Sequence, residues 1–233
     1  MSKEKLKEII YNDEKQIIKQ RRELHACPEL AMQEYKTNDY IKEKLESYGL
    51  EVRQLDPTGL VAEINPDSDG KIVLLRADFD ALPIEETNDF DFKSKNEGKS
   101  HACGHDTHTA MLLAATRALV EVKDELPGTV RILFQPGEET GDGGKAVVRQ
   151  GVSKGVDSGF AIHIFTDLDL GNAATGYDQV MAGNYFFEIN FKGKSAHGST
   201  PFVGHDAIMM LNTFIDGANG AVSVSYTHLT LPT

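Results

Sequence analysis

Three apolar runs do most to constrain what this chain can fold into: KIVLLRAD (71–78), VRILFQ (130–135) and GFAIHIF (159–165). Each is a short, continuous stretch of branched aliphatic and aromatic residues. That is the pattern of a strand buried on both faces rather than one with a wet side. Between the first two lies HTAMLLAATRALVEV, apolar on nearly all sides and so suited to a buried helix. Strands and helices alternating in this way predict an α/β domain: a mostly parallel sheet with flanking helices.

The flanks fit around that centre. From Lys3 to about Leu24, Leu6, Ile9, Ile10, Ile17, Ile18 and Leu24 recur among charges at helical spacing. A second helix is predicted from about Thr37 to Tyr48, stopped by Gly49. EVRQL, a Pro-Thr-Gly turn and LVAEI then read as strand, turn, strand. From about Asn184 the texture changes: YFFEINFKG reads as a strand, GKSAHGSTPFVG as a loop and HDAIMMLNTFI as a helix. This predicts the start of a second, smaller domain.

Composition sets outer limits. With 40% hydrophobic and 26% charged residues the chain is ordinary for a soluble globular protein. Its net charge of −12 argues against nucleic-acid and anionic-membrane partners. Two cysteines, Cys27 and Cys103, are too few for a disulfide framework or a four-thiolate zinc site. The first residues, MSKEKLKEII, lack the apolar core of a signal peptide, so a cytoplasmic location is expected.

In an open parallel sheet, ligands bind beyond the carboxyl ends of the strands. After KIVLLRA come Asp78 and Asp80, two apart and on one face of an extended chain. After VRILFQ come Pro136, Gly137 and the pair Glu138–Glu139, and His163 lies near the end of the third run. HACGHDTH (101–108) directly precedes the buried helix, with Asp106 as its expected N-cap. Taken singly, each has a bland reading: a turn or cap aspartate, a solvated glutamate pair, a hydrogen-bonded core histidine. Their convergence on one sheet edge is what points to a site.

HACGHDTH admits three readings. A structural zinc knuckle needs four ligands, usually closely paired cysteines; no CxxC exists and Cys27 is far upstream. A cysteine nucleophile with His105 or His108 as base stays open, but leaves Glu138, Glu139 and His163 without roles. A catalytic metal site uses them all. Cys103 and His105, two apart around Gly104, can face one way, and thiolate, imidazole and carboxylate together suit zinc or a neighbouring transition metal. Of the adjacent glutamates, one can coordinate and the other act as general base.

Six ordered motifs carry a resemblance: RRELHACPELAMQE (21–34), LLRADFDALPIEE (74–86), GKSHACGHDTHTAMLLAA (98–115), VRILFQPGEETGDGGKAVV (130–148), GFAIHIF (159–165) and FKGKSAHGSTP (191–201). Over about residues 20 to 220 the chain resembles the dinuclear-metal amidohydrolases and metallopeptidases that include aminoacylases, auxin-conjugate hydrolases, hippurate hydrolases and N-acetyldiaminopimelate deacetylases. The resemblance implies two divalent ions (zinc, manganese, cobalt or nickel) held by Cys103, His105, Glu139 and His163. It implies Glu138 as general base, Asp78 as the carboxylate orienting the site, and His197 as the lid histidine that helps hold the substrate carbonyl. A homodimer is implied for the intact protein, since that histidine commonly serves a partner's site. Some branches have His-x-Asp where this chain has Arg76-Ala77-Asp78. On this reading His101 and His108 support the site or are structural, and His25 packs or caps.

The family's chains are longer, with a completed lid and a final ligand histidine. The pattern here stops near Ala221, and SVSYTHLTLPT reads as a non-native tail whose His228 is not the missing ligand. The expected organisation is therefore an incomplete catalytic domain over 1–180, a partial lid or dimerisation domain over 181–222, and a tail over 223–233. The expected chemistry is hydrolysis of N-acyl amino acids, with this chain itself inactive or nearly so. Two alternatives stand beside it: a dipeptidase or carboxypeptidase of the same superfamily, and a non-catalytic remnant.

Overall fold

The computed structural model describes residues 3–177 and 188–230, with 222–230 as backbone only. The chain divides into two compact units, Met1–Leu170 and Gly171–Thr233.

The first unit carries helices α1 (Lys3–Asn12), α2 (Glu14–His25), α3 (Tyr35–Ser47), α4 (His105–Glu121) and α5 (Asp142–Arg149). Its strands are β1 (Val52–Gln54), β2 (Leu60–Ile64), β3 (Ile72–Asp78), β4 (Thr129–Gln135) and β5 (Ser158–Ala161), in the order β1-β2-β4-β3-β5. β4, β3 and β5 run parallel, while β2 pairs antiparallel with both β4 and β1. The architecture is thus mixed α/β with a parallel centre, and the antiparallel strands are those of the predicted strand–turn–strand. The helix expected over Lys3–Leu24 is two helices, broken at Asp13, whose carboxylate pairs with Arg117 of α4.

Strand alternation sorts side chains to two faces. Leu60, Ala62, Ala77, Phe79, Ile132 and Phe134 pack with Ile41 and Leu45 of α3 and Leu112 and Leu113 of α4. Their neighbours Val61 and Leu133 join Val147 of α5, Val152 and Leu55 on the other face. The complete burial expected of KIVLLRAD is reached only at Ala77 and Asp78; residues 72–76 are half-buried and β5 is exposed. β5 is the outermost strand on that side of the sheet, so the apolar run there does not report burial.

Register positions the site. Asp78 lies opposite Gln135 and Arg76 opposite Ala161, so the three parallel strands end together at one edge. The chain leaves that edge directly into Asp80, Glu138–Glu139 and His163. α4 begins there as well, at His105.

In the second unit, Lys194 and His205 form an isolated antiparallel bridge, and α6 (Ala207–Thr230) follows. Asp206 caps α6, its Oδ1 accepting the backbone N–H groups of Ile208 (2.9 Å) and Met209 (3.2 Å). The strand expected over 185–193 lies partly outside the described residues, and 188–193 form no strand. Among the described residues no helix is long and apolar enough to cross a membrane.

Phe134 is fully buried between sheet and helices, whereas Phe160 on β5 is 69% exposed. Phe134→Ala should therefore cost about 3–5 kcal/mol in urea melts, and Phe160→Ser should stay within about 0.5 kcal/mol of the parent.

Candidate functional site

Two carboxylates at the end of β3 organise the site. Asp78 and Asp80 are each 1% exposed, and every oxygen they carry has a partner. Asp80 Oδ1 accepts from His105 Nδ1 (3.0 Å), and its Oδ2 accepts the backbone N–H of Glu139 (3.0 Å). Asp78 Oδ1 accepts from His108 Nδ1 (2.6 Å), and its Oδ2 accepts from the Arg76 guanidinium (2.6 Å). Burial opposes charge on Asp78, but the His108 bond and the nearby Arg76 guanidinium outweigh it and hold the carboxyl at about 2.

These bonds set ring orientation. A carboxylate can only accept, so His105 carries a hydrogen on Nδ1 and turns Nε2 to the open side. That Nε2 lies 3.8 Å from Glu139 Oε1, 3.9 Å from Glu138 Oε2 and 3.8 Å from Asp78 Oδ2. His163 is held alike: Nδ1 donates to the carbonyl of Ile164 (2.7 Å), leaving Nε2 3.4 Å from Cys103 Sγ. Ligand atoms of Cys103, His105 and His163 cluster within 4.8 Å, and so do those of His105, Glu138 and Glu139.

The donor set fits a divalent ion. Thiolate and imidazole bound to one tetrahedral zinc stand about 3.5 Å apart, close to the observed Cys103–His163 separation. Among the described residues His105 Nε2 and Glu139 Oε1 are buried without a hydrogen-bond partner, an arrangement that a cation between them would satisfy. The cysteine-nucleophile reading is weakened, since burial and then the carboxylates of Glu139, Glu138 and Asp78 push the thiol up to about 12. Activated cysteines have depressed values.

Local backbone explains how Cys103 and His105 come so close. Gly104 has φ +88°, and a Cβ there would lie 2.2 Å from Ile164 Cδ1. It is also the N-cap of α4, with no side-chain cap; the cap expected at Asp106 is not formed. Asp106 instead turns inward and is fully buried, where Oδ2 accepts from His25 Nδ1 (2.7 Å) and Arg21 Nε (2.9 Å). His25 Nε2 donates to Glu86 (3.0 Å), so His25 ties α2 to the start of α4 rather than simply packing or capping.

Gly137, at φ +54°, begins the turn into Glu138, and Glu34 holds it from below. Glu34 is fully buried; Oε1 accepts the N–H of Gly137 (2.8 Å) and of Met32 (2.9 Å), and Oε2 accepts from Thr58 (2.6 Å). Sequence reasoning assigned no role to Glu34, and it placed Asp80 at the edge without giving it one. The signal for Asp80 was its spacing from Asp78; for Glu34 there was only its place in RRELHACPELAMQE.

Among the expected site residues, Asp78, Cys103, His105, Glu138, Glu139 and His163 are brought together. His197 lies exposed in the second unit, its Nδ1 accepting the N–H of Ser199 (3.2 Å) and 2.8 Å from the Ser199 hydroxyl.

Comparisons with known proteins agree on one family. The model of peptidase family M20/M25/M40 matches residues 74–227. The chain is 45% identical over 211 residues to thermostable carboxypeptidase 2 of Saccharolobus solfataricus, covering 89% of this chain and 54% of that protein. It is 41% identical over 210 residues to the N-acyl-L-amino acid amidohydrolase of Geobacillus stearothermophilus, covering 89% and 57%. A dinuclear metal-binding M20 peptidase from Bacillus subtilis superposes with a TM-score of 0.64 at 42% identity, over 66% of this chain and 44% of that one. The chain spans about half the length of the curated relatives it matches.

The Asp106 hydrogen bond, against burial and with help from Glu86, raises His25 above its ordinary 6.5. A raised folded-state value adds stability that is complete below the unfolded value and lost as pH climbs through the folded one. The stability gap between the parent and His25→Gln, from urea melts across pH, should therefore narrow as pH rises above 6.5. A gap independent of pH would show that His25 gains no proton on folding.

Proposed function

The chain belongs to peptidase family M20/M25/M40, and from that premise we propose that it is built for metal-dependent hydrolysis of the amide bond of N-acyl amino acids. One observation carries the reading: two buried, partnerless ligand atoms, His105 Nε2 and Glu139 Oε1, face each other beside Cys103, His163 and Glu138. Cys103, His105, Glu139 and His163 would hold two divalent ions of the zinc, manganese, cobalt and nickel group, the thiolate disfavouring magnesium and calcium. Bound there, the ions would supply a water of lowered pKa and a Lewis acid for the scissile carbonyl.

The rest falls to the chain's own groups. Glu138 is the more open glutamate, its side chain 41% exposed against 19% for Glu139, which suits a group that meets water and substrate. It takes a proton from the attacking water and returns it to the leaving nitrogen, so that water and amide become a carboxylic acid and a free amino acid. Asp80 keeps His105 aimed throughout, while Asp78 holds His108. His197 is assigned to the substrate carbonyl on its motif, GKSAHGSTP, in a homodimer where it serves the partner's site.

A second reading, removal of a C-terminal residue from peptides, has support in the relatives named carboxypeptidases. A panel of N-acetyl amino acids, dipeptides and longer peptides, offered to a purified, zinc- or manganese-loaded intact homologue, separates the two. Preference for N-acyl amino acids is expected; preference for peptides would move the assignment.

Made in an intact homologue of this chain, Glu138→Gln should lower kcat about 10²–10⁴-fold while elemental analysis finds metal content unchanged. Cys103→Ala should instead lose metal. Full activity in the first, or full occupancy in the second, would remove that residue from its role.

A further inference from the structure

We propose that His108 is a positioning residue: it braces the segment carrying His163, and through it the metal site, against the buried carboxylate of Asp78. The inference rests on the metal-site reading above.

His163 stands where the sheet has run out. The β3–β5 ladder ends at Arg76 opposite Ala161, so residues 162–164 have no strand partner among the described residues, and Ile162 and Phe165 on either side are 62% and 56% exposed. What fixes this segment is α4. The backbone N–H of Ile164 donates to His108 Nε2 (3.0 Å), and the Ile164 side chain rests on Gly104, where no Cβ would fit. The carbonyl of the same Ile164 accepts from His163 Nδ1. One residue thus links His108 to the ring presented to Cys103.

His108 is equipped for this. It lies one helical turn beyond His105, is 2% exposed, and has both nitrogens occupied: Nδ1 donates to Asp78 while Nε2 accepts from Ile164. Its ring packs edge-on against His163 (centroids 4.6 Å apart) and stacks on His105 (5.3 Å). Asp78 is itself anchored through Arg76, whose Nε donates to Gln135 of β4 (3.1 Å). The brace therefore runs from β4 through β3 and α4 to the loop after β5. Asp78, His105 and His108 could also be read as a set of metal ligands. With both its nitrogens engaged, His108 has no lone pair to offer an ion.

The test uses Co²⁺ bound to the purified chain, read by chelator competition and by the thiolate-to-cobalt absorption of Cys103. His108→Asn keeps an amide donor for Asp78 but is too short to reach Ile164; it should weaken Co²⁺ binding about 10–100-fold, as loss of a ligand's support does. His108→Gln, whose longer amide reaches the N–H, should recover most of that loss. Because the brace acts through His163, adding His108→Asn to His163→Ala should weaken binding no further than His163→Ala alone. Parent-like affinity in His108→Asn, no recovery in His108→Gln, or full additivity in the double variant would each overturn the proposal. Independently of any variant or metal, the Ile164 amide should be protected from hydrogen exchange in the parent chain; fast exchange there would overturn it too. Failure of the parent to bind Co²⁺ would count against the metal-site reading, and the exchange measurement would still decide the brace.

Discussion

Two buried carboxylates at the end of one strand hold the functional edge together. An aspartate removed from water is costly unless its oxygens are hydrogen-bonded. Asp78 and Asp80 meet that demand by recruiting partners from three of the segments at the edge: His105 and His108 from α4, Arg76 from β3 and the backbone of Glu139 after β4. The need to satisfy four carboxylate oxygens is thereby turned into orientation. Each histidine donates from Nδ1, and His105 is left with Nε2 facing outward.

The same principle recurs one layer out. Glu34, with no exposure, holds Gly137 immediately before the glutamate pair. Asp106, equally buried, holds Arg21 and His25 and so fixes the start of α4 behind His105. Neither touches the candidate site. Each adds a buried anchor to a segment that Asp78 and Asp80 also hold. Polar groups buried to this extent tolerate few alternative arrangements, because each lost bond leaves a desolvated charge.

Much of this was legible in the chain. Strand ends and the order of the motifs singled out Asp78, Cys103, His105, Glu138, Glu139 and His163, and the fold gathers them at one edge. Asp106 shows where local reasoning failed. An aspartate in the first turn of a helix resembles a cap by every local criterion, yet a left-handed Gly104 occupies the cap and frees Asp106 for the interior. Likewise, β5 is as apolar as a buried strand but sits at an open side of the sheet. Hydrophobicity records what a strand tolerates, and only its neighbours determine what covers it.

The sequence by itself determined the class of fold, the edge at which chemistry is placed and the residue types gathered there. Period, punctuation and motif order are local properties that survive in one dimension. Tertiary structure alone decided how those residues are held: which carboxylate takes which histidine, that His25 reaches Asp106 across 81 positions and that Glu34 reaches Gly137 across 103. Such pairings depend on which side chains burial brings within hydrogen-bond range, and no spacing along the chain encodes that distance.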